Sequence, residues 1–273
     1  MPITTYTKPE IVFRKENNFT NDYQGFFADV QNIKYCYRQC YTKFYDVEDE
    51  ITVEKKKELR EKFDEWAERT IDIEQKLFGT KKHLNADSLF NSIVEQLGDY
   101  YIWVYLDRCQ WIKKYLSRGH ESPFEHGLMT YQIKGMSRSA SHQFVRCRLA
   151  NYNQLSQRYF AEDPDDLKFI IPSTYDDNPE AKKVVEDFLG TIPAVIKRLR
   201  ELNVKNEDIR AIYPNATPTD LTVSMNYREL KHLIELRSSK GAQTEIKDIV
   251  RRIWMYLSYH MPFIWDGICN LED

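Results

Sequence analysis

The segment Gln143–Tyr159, QFVRCRLANYNQLSQRY, says the most about the fold and the function of this chain. It lies within a stretch, Lys134 to Ala161, that holds five Lys or Arg and no Asp or Glu, although 30% of the chain is charged. The planar guanidinium group binds phosphate oxygens with paired hydrogen bonds. Because the formal net charge of the chain is −3, this local excess predicts a pocket for a small anionic ligand rather than a surface for a long polyanion.

The spacing of the arginines limits how they can bind. Arg146 and Arg148 are two residues apart, so on a helix their side chains diverge by about 200° and cannot easily bind one phosphate together. Two neighbouring ligands, or ligands in two subunits, fit better, and a pair of exposed arginines without a ligand is the alternative. Ser156 and Arg158 place a hydroxyl beside a charged fork, which suits a phosphomonoester. Neither His126 nor His142 has the spacing of a base for Ser156, which is therefore assigned to binding rather than nucleophilic attack.

Composition predicts a globular cytoplasmic protein. The 273 residues are 42% hydrophobic and 14% aromatic, which is ample for a core. The net negative charge argues against general nucleic-acid binding. The N-terminal residues lack a basic region followed by an apolar run, and no apolar run approaches membrane-spanning length. Five cysteines, at positions 36, 40, 109, 147 and 269, show no disulfide pattern, and buried thiols are preferred over zinc ligands because no second pair follows Cys36 and Cys40.

Hydrophobic periodicity predicts an α+β protein: a single domain over residues 1–273, with a central, mostly antiparallel sheet flanked by helices. Strands are expected near 11–14, 128–135 and 219–224, and a loop over the polar run 151–157. Helices are expected near 46–78, 86–117, 137–149, 179–202, 227–239 and 242–259, and residues 27–41 form a segment with spaced apolar residues.

Three ordered blocks carry a resemblance to a known family. The first is Gly119–His126, GHESPFEH, and the second is Arg-x-Arg, seven residues and then Ser, followed by Arg158-Tyr159. The third is Asn226–Arg237, NYRELKHLIELR, with Ala242, Gln243 and Glu245 after it. Together they resemble the flavin-dependent thymidylate synthases over residues 110 to 265. Compared with that family, residues 46–95 read as a helical insertion whose role the sequence does not give.

Two positions depart from the family pattern. Cys147 stands where the family usually has His, and Gln154 stands where it commonly has Glu. The first change removes an imidazole. The second leaves a neutral amide, which hydrogen-bonds but cannot act as a proton acceptor. Both a tolerated substitution and an altered substrate are consistent with these changes.

The resemblance implies a set of site residues, which includes a catalytic role for Arg237 in polarising the uracil ring. The residues implied for dUMP are Gln143, Phe144, Val145, Arg146, Gln154, Leu155, Ser156, Gln157, Arg158, Arg210 and Arg237. The residues implied for FAD are His120, Ser122, Arg146, Cys147, Arg148, Gln154, Asn226, Arg228 and His232. Read without the resemblance, Ser122 or Glu125 caps a turn and Asn226 caps a helix.

The resemblance also implies the reaction. It is the reductive C5-methylation of dUMP to dTMP, with FAD as cofactor, NADPH as reductant and methylenetetrahydrofolate as carbon donor, in a homotetramer with shared active sites. The chain has no G-x-G-x-x-G fingerprint, so the flavin rests on the resemblance. The alternatives are a related methylase or hydroxymethylase of another pyrimidine nucleotide, such as UMP, and an inactive homologue that binds nucleotide or flavin.

Overall fold

A computed structural model describes residues 4–6, 9–14, 22–41, 51–79, 82–159 and 163–268. The chain divides into two compact units, each assembled from separate stretches of sequence. The first unit comprises residues 1–14, 130–224 and 241–249, and the second comprises residues 15–129, 225–240 and 250–273.

The first unit is built on a sheet. Its strands are β1 (Thr4–Tyr6), β2 (Glu10–Arg14), β3 (Leu128–Ser137), β4 (Ala150–Gln154), β5 (Lys168–Ile170) and β6 (Pro218–Asn226). Four of them form an antiparallel sheet in the order β2-β3-β6-β4, while β1 pairs with β5 in parallel. In β6, buried residues alternate with partly exposed ones, so one face of the strand meets the core. The predicted α+β class and antiparallel sheet are confirmed.

A helical layer of the first unit packs around the short strand β5. Helix α5 (Arg138–Phe144) follows β3 directly in the chain, and the layer around β5 contains α6 (Pro179–Leu189), α7 (Ile192–Glu201) and the short α8 (Asn206–Ile209). Their apolar side chains form one buried cluster with the strand: Leu167, Phe169, Ile171, Leu189, Ile192, Ile196 and Ile209. Ile209 is the last residue of α8, so its burial in this cluster anchors the helix directly before Arg210.

The second unit is helical in its described residues. It holds α1 (Asp22–Tyr41), α2 (Val53–Phe78), α3 (Ala86–Leu97), α4 (Asp99–Leu116), α9 (Tyr227–Arg237) and the greater part of α10 (Thr244–His260). The Trp66 indole donates to the carbonyl of Ser258 at 3.2 Å, and the Phe63 and Phe90 rings meet at 5.2 Å. Over the residues described, no helix combines the length and apolar character that a membrane crossing needs.

Most of the described part of the insertion at 46–95 is helical. Helix α2 begins at an N-cap, where the Thr52 side chain accepts from the Lys55 amide, and ends at Gly79 with φ 73°. Helix α3 follows from a capping box between Asn85 and Ser88. Residues 46–50, 80 and 81 lie outside the described part of the chain, as do the side chain of Cys40 and all of Cys269.

Two predicted helices are each divided in two. The expected helix at 86–117 breaks at Gly98, whose backbone (φ 92°, ψ 153°) is far from helical and open to glycine almost alone. The expected helix at 179–202 breaks between Leu189 and Ile192, and Pro193 follows in the first turn of α7, where its missing N–H is tolerated.

Two further boundaries near the arginine segment were wrong. The helix expected at 137–149 ends at Phe144, and the polar run expected as a loop at 151–157 begins as strand β4. In β4 exposed and half-buried residues alternate, so the strand lacks the apolar face by which strands are recognised from sequence. Its pairing with β6 at the sheet edge therefore overrides the local pattern.

Candidate active site

The loop that carries Arg146 and Arg148 is fixed by one hydroxyl. Tyr152, on β4, donates to the carbonyl of Cys147 at 2.7 Å and lies 3.2 Å from that of Phe144. These carbonyls follow the last turn of α5, where backbone acceptors have no helical partner. Both arginines are exposed, and among the described residues neither forms an ion pair. The loop thus presents two cations from a fixed backbone.

Both ends of α5 are tied to the segment that leads into α10. At its N-terminus, Ser137 donates from its backbone N–H to Glu245 at 2.7 Å and from its hydroxyl to the same carboxylate at 2.5 Å. Near its C-terminus, the Gln143 amide donates to the Gln243 side chain at 2.6 Å. Residues after the third block therefore support the helix that precedes Arg146.

The neutral amide at position 154 matches its surroundings. The Nε2 of Gln154 donates to the hydroxyl of Ser141 at 2.9 Å and lies 3.4 Å from that of Thr219. The Ser141 hydroxyl itself donates to the carbonyl of Arg138 at 2.9 Å, so its oxygen is left to accept. An amide supplies that donor and a carboxylate does not, so Gln154 is matched to the hydroxyl of Ser141.

Two arginines distant in sequence meet at one residue. The Nε of Arg158 lies 2.9 Å from the carboxylate of Glu207, and the Nε of Arg210 donates to the backbone carbonyl of Glu207 at 3.1 Å. The backbone N–H of Arg158 also donates to the hydroxyl of Ser156 at 3.3 Å. A guanidinium of Arg138 donates to the carbonyl of Leu155 at 2.8 Å. The structure therefore brings together the predicted Ser156, Arg158 and Arg210.

The remaining predicted nucleotide residues vary in exposure. Phe144 is fully buried and Val145 half-buried, so Phe144 supports the site from beneath. The side-chain nitrogen of Gln157 is buried and has no partner among the described residues. Cys147 is only 5% exposed, so its side chain belongs to the core of the unit. Its predicted contact with a flavin is untested and stays a prediction.

The second unit joins the first and third sequence blocks. The Arg228 guanidinium, in the first turn of α9, forms an ion pair with Glu125 and lies 3.6 Å from Glu121. The hydrogen bond to Glu125 raises the pKa of Arg228. The Tyr227 amide donates to the Gly127 carbonyl at 3.1 Å. A Cβ on Gly127 would lie 2.3 Å from the Tyr227 ring, so this close approach requires glycine.

The residues predicted for FAD in this unit form an accessible set of donors. Ser122 and His232 are exposed, and His120 is half-buried, 6.0 Å from the Tyr115 ring. Asn226 caps α9, accepting from the Glu229 amide at 2.9 Å through its side-chain oxygen. Hydroxyl, imidazole, amide and guanidinium groups together suit a cofactor with phosphates and ring carbonyls.

The predicted catalytic residue ends α9. Arg237 is half-buried, and its Nε is shielded from solvent. It lies five residues after His232, on a different face of the helix.

Sequence reasoning did not single out Tyr152 or Glu207. Glu207 precedes Arg210 by three residues, the spacing at which helical neighbours meet, and this was the available signal. Tyr152 gave no signal, because its partners are backbone carbonyls.

The two units together give an α+β architecture that solved structures share. A crystal structure of the UMP/dUMP methylase PolB from Streptomyces cacaoi bound with 5-Br dUMP is similar, with a TM-score of 0.53 and 19% identity, over 65% of this chain and 86% of that one. The same enzyme bound with 5-Br UMP has a TM-score of 0.51 and 20% identity, over 58% of this chain and 80% of that one. At this identity the similarity shows the fold.

Residues 27–263 match the family described as thymidylate synthase complementing protein, and the chain belongs to that family. A flavin-dependent thymidylate synthase of Thermococcus onnurineus is 38% identical over 57% of this chain and 62% of its own length. That of Thermococcus kodakarensis is 41% identical over 50% of this chain and 57% of its own length. The chain thus spans about six tenths of the length of the curated relatives it matches.

Proposed function

We propose that this protein is a flavin-dependent thymidylate synthase. It converts dUMP to dTMP by reductive methylation at C5, with methylenetetrahydrofolate as carbon donor, NADPH as reductant and FAD as cofactor. The observation that carries the proposal is the meeting of Arg158 and Arg210 beside Ser156, in a chain whose family match covers residues 27–263. Two guanidinium groups and a hydroxyl suit the phosphate of a nucleoside monophosphate.

The nucleotide is held by the first unit. Arg158, Arg210 and Ser156 bind its phosphate. Gln143, in the last turn of α5, and Arg146, beyond the end of that helix, reach the base and sugar. Tyr152 and Gln243 keep that end of α5 in place.

The flavin is held by His120, Ser122, Asn226, Arg228 and His232 of the second unit. By the family resemblance, Arg146, Cys147, Arg148 and Gln154 of the first unit are also assigned to flavin binding. The flavin supplies the redox chemistry when bound, and the protein supplies orientation and charge.

Arg237 stabilises charge on the substrate. A guanidinium beside a uracil carbonyl oxygen favours the negative charge that develops as C5 attacks carbon. We expect Arg237→Ala to lower kcat by at least about 100-fold, as removal of a comparable electrostatic donor does. Steady-state turnover measures the effect, and circular dichroism controls for folding. Unchanged turnover would show that the assignment of Arg237 is wrong.

The assembly we propose is a cytoplasmic homotetramer with active sites shared between protomers. Its partners are the pyrimidine nucleotide, folate and NADPH, with neither nucleic acid nor membrane among them. Size-exclusion chromatography with light scattering tests the tetramer.

The test of the reaction is release of tritium from 5-tritiated nucleotides. The purified protein should have a flavin absorption band and release tritium from dUMP only when methylenetetrahydrofolate and NADPH are present. A protein that is colourless and takes up no FAD would refute the flavin mechanism.

A second candidate is methylation or hydroxymethylation of another pyrimidine nucleotide. It is favoured by Cys147 and Gln154, the two departures from the family pattern, and Gln154 is matched to the hydroxyl of Ser141. Faster release from UMP than from dUMP would select this candidate. Release from neither, by a protein that binds both flavin and dUMP, would select an inactive homologue.

A further inference from the structure

A single acidic residue connects the cations proposed to bind phosphate. Glu207 lies at the start of α8, and Ile209 of the same helix is buried in the core of the first unit. The Nε of Arg158 lies 2.9 Å from the Glu207 carboxylate. The Nε of Arg210 donates to the backbone carbonyl of Glu207 at 3.1 Å. Lys205 lies 4.0 Å from the other carboxylate oxygen. Two cations therefore lie within 4.0 Å of the Glu207 carboxylate, and a third, Arg210, binds the backbone of the same residue.

The contacts with Glu207 hold the guanidinium groups of Arg158 and Arg210 by their Nε atoms. Each arginine uses its Nε toward Glu207, and Nε is only one of the nitrogens in the fork. The two terminal nitrogens of Arg158 make no other contact within the described part of the chain, so they can face an anion. The Arg158 guanidinium also lies 5.4 Å from the Tyr159 ring, which restricts it on a second side.

Stability does not account for the pair. The side chain of Arg158 is 54% exposed and that of Glu207 is 37% exposed. Exposed ion pairs of this kind contribute little to folding because solvent screens them. An arginine held in one orientation loses less rotamer freedom when it binds a ligand, which is the advantage of preorganisation.

We propose that Glu207 is a positioning residue for the phosphate of a nucleoside monophosphate, and that it acts by orienting Arg158 next to Arg210. The inference rests on the proposed function and adds to it a residue that need not touch the ligand. The two guanidinium groups of Arg158 and Arg210 suit a phosphate monoester, which carries close to two negative charges at neutral pH.

Positioning and simple electrostatics predict opposite results. Removing a carboxylate near a bound dianion strengthens binding if charge alone matters. Removing a group that orients the arginine weakens binding. Glu201→Ala is a matched control, because Glu201 is a carboxylate of the same unit in an exposed ion pair with Arg198 at 2.8 Å.

The experiment is calorimetric titration of the full-length protein with dUMP and with deoxyuridine, which lacks the phosphate. We expect Glu207→Ala to weaken dUMP binding about tenfold, the effect of losing a charge-assisted hydrogen bond, with deoxyuridine unchanged. Glu207→Gln, which keeps an acceptor for Nε, should recover part of that loss, and Glu201→Ala should bind dUMP like the unmodified protein.

A double-mutant cycle tests the route through Arg158. In an Arg158→Ala background, Glu207→Ala should have no further effect on dUMP binding. If Glu207→Ala binds dUMP as well as or better than Glu201→Ala does, Glu207 does not position the arginine and the inference fails. If the unmodified protein binds deoxyuridine as tightly as dUMP, the proposed phosphate site itself fails. Circular dichroism of each variant separates these outcomes from unfolding.

Discussion

At the scale of single residues, the candidate site depends on side chains that hold other side chains or backbone in place. Tyr152 fixes the loop of Arg146 and Arg148 by donating to the carbonyl of Cys147, and its hydroxyl also lies 3.2 Å from the carbonyl of Phe144, the last residue of α5. The amide of Gln154 donates to the hydroxyl oxygen of Ser141, whose own proton is donated to the carbonyl of Arg138. In both cases the residue type follows from the hydrogen-bonding capacity of its neighbours.

Tyr152→Phe should therefore destabilise the protein by about 1 to 3 kcal/mol, because two carbonyls lose their donor. Urea unfolding measures the free energy of unfolding, and Tyr159→Phe is the control, since the Tyr159 side chain is 81% exposed. We also expect the Michaelis constant for dUMP to rise more than kcat falls. Equal unfolding free energies for the two variants would contradict the bracing role of Tyr152.

At the scale of elements, the sequence predicted the type of most segments, and boundaries were less accurate. The apolar spacing of residues 86–117 continues through Gly98, so periodicity alone gave one helix. The break depends on a backbone conformation that only the structure displays. Strand β4 was missed because it is polar on both faces and is specified by pairing at the sheet edge.

Gly98→Ala should lower the free energy of unfolding by about 1 to 3 kcal/mol, because alanine adopts this backbone region with strain. Gly241→Ala is the matched control. An added Cβ meets nothing within 4 Å at either position, and φ is positive only at Gly98. Urea unfolding of both variants measures the difference. If Gly98→Ala proved as stable as the control, the break between α3 and α4 would not depend on glycine.

Helix α2 contains an acid whose ionisation is favoured in the folded protein. Hydrogen bonds from Lys62, then Gln110 and then Lys55, lower the pKa of Glu58 from 4.5 to about 2. Because the folded pKa lies below the unfolded one, the contribution of Glu58 to stability is complete above pH 4.5 and is lost as the pH falls toward about 2.

Glu58→Gln should therefore destabilise the protein at pH 7 and do so less at pH 3. The difference at pH 7 should be about 0.5 kcal/mol, since the groups are exposed and screened by solvent. Urea unfolding at the two pH values measures it, with Glu61→Gln as a control of equal charge change at an exposed position of the same helix. A difference for Glu58→Gln that grew on acidification would contradict the sign of the pKa shift.

At the scale of the whole molecule, residues far apart in sequence meet within each unit. Arg158 meets Arg210 through Glu207, and the segment 119–126 meets the start of α9 through Arg228. Only the family resemblance could group such residues from sequence, since no periodicity relates such distant positions, and the roles it assigns to them stay predictions. The supporting contacts at Tyr152, Gln243 and Glu245 could not be predicted, because they depend on the three-dimensional course of the backbone.

Gly127→Ala tests the junction between the first and third blocks. The added methyl would displace the fully buried Tyr227 ring, which costs about 1 to 3 kcal/mol in a packed core. We expect a lower free energy of unfolding and less flavin per protomer, measured by urea unfolding and by absorbance after denaturation. Retention of full flavin content and stability, as expected for Gly241→Ala, would show that the junction tolerates expansion.

The interleaving of the two units has a consequence for dissecting this protein. The chain passes from one unit to the other after Arg14, Met129, Ser224, Lys240 and Ile249. No single cut can therefore separate the two units, because each is assembled from three stretches that alternate along the chain. Fragments produced separately should regain binding only when mixed, so complementation between halves would be a more useful genetic tool here than deletion.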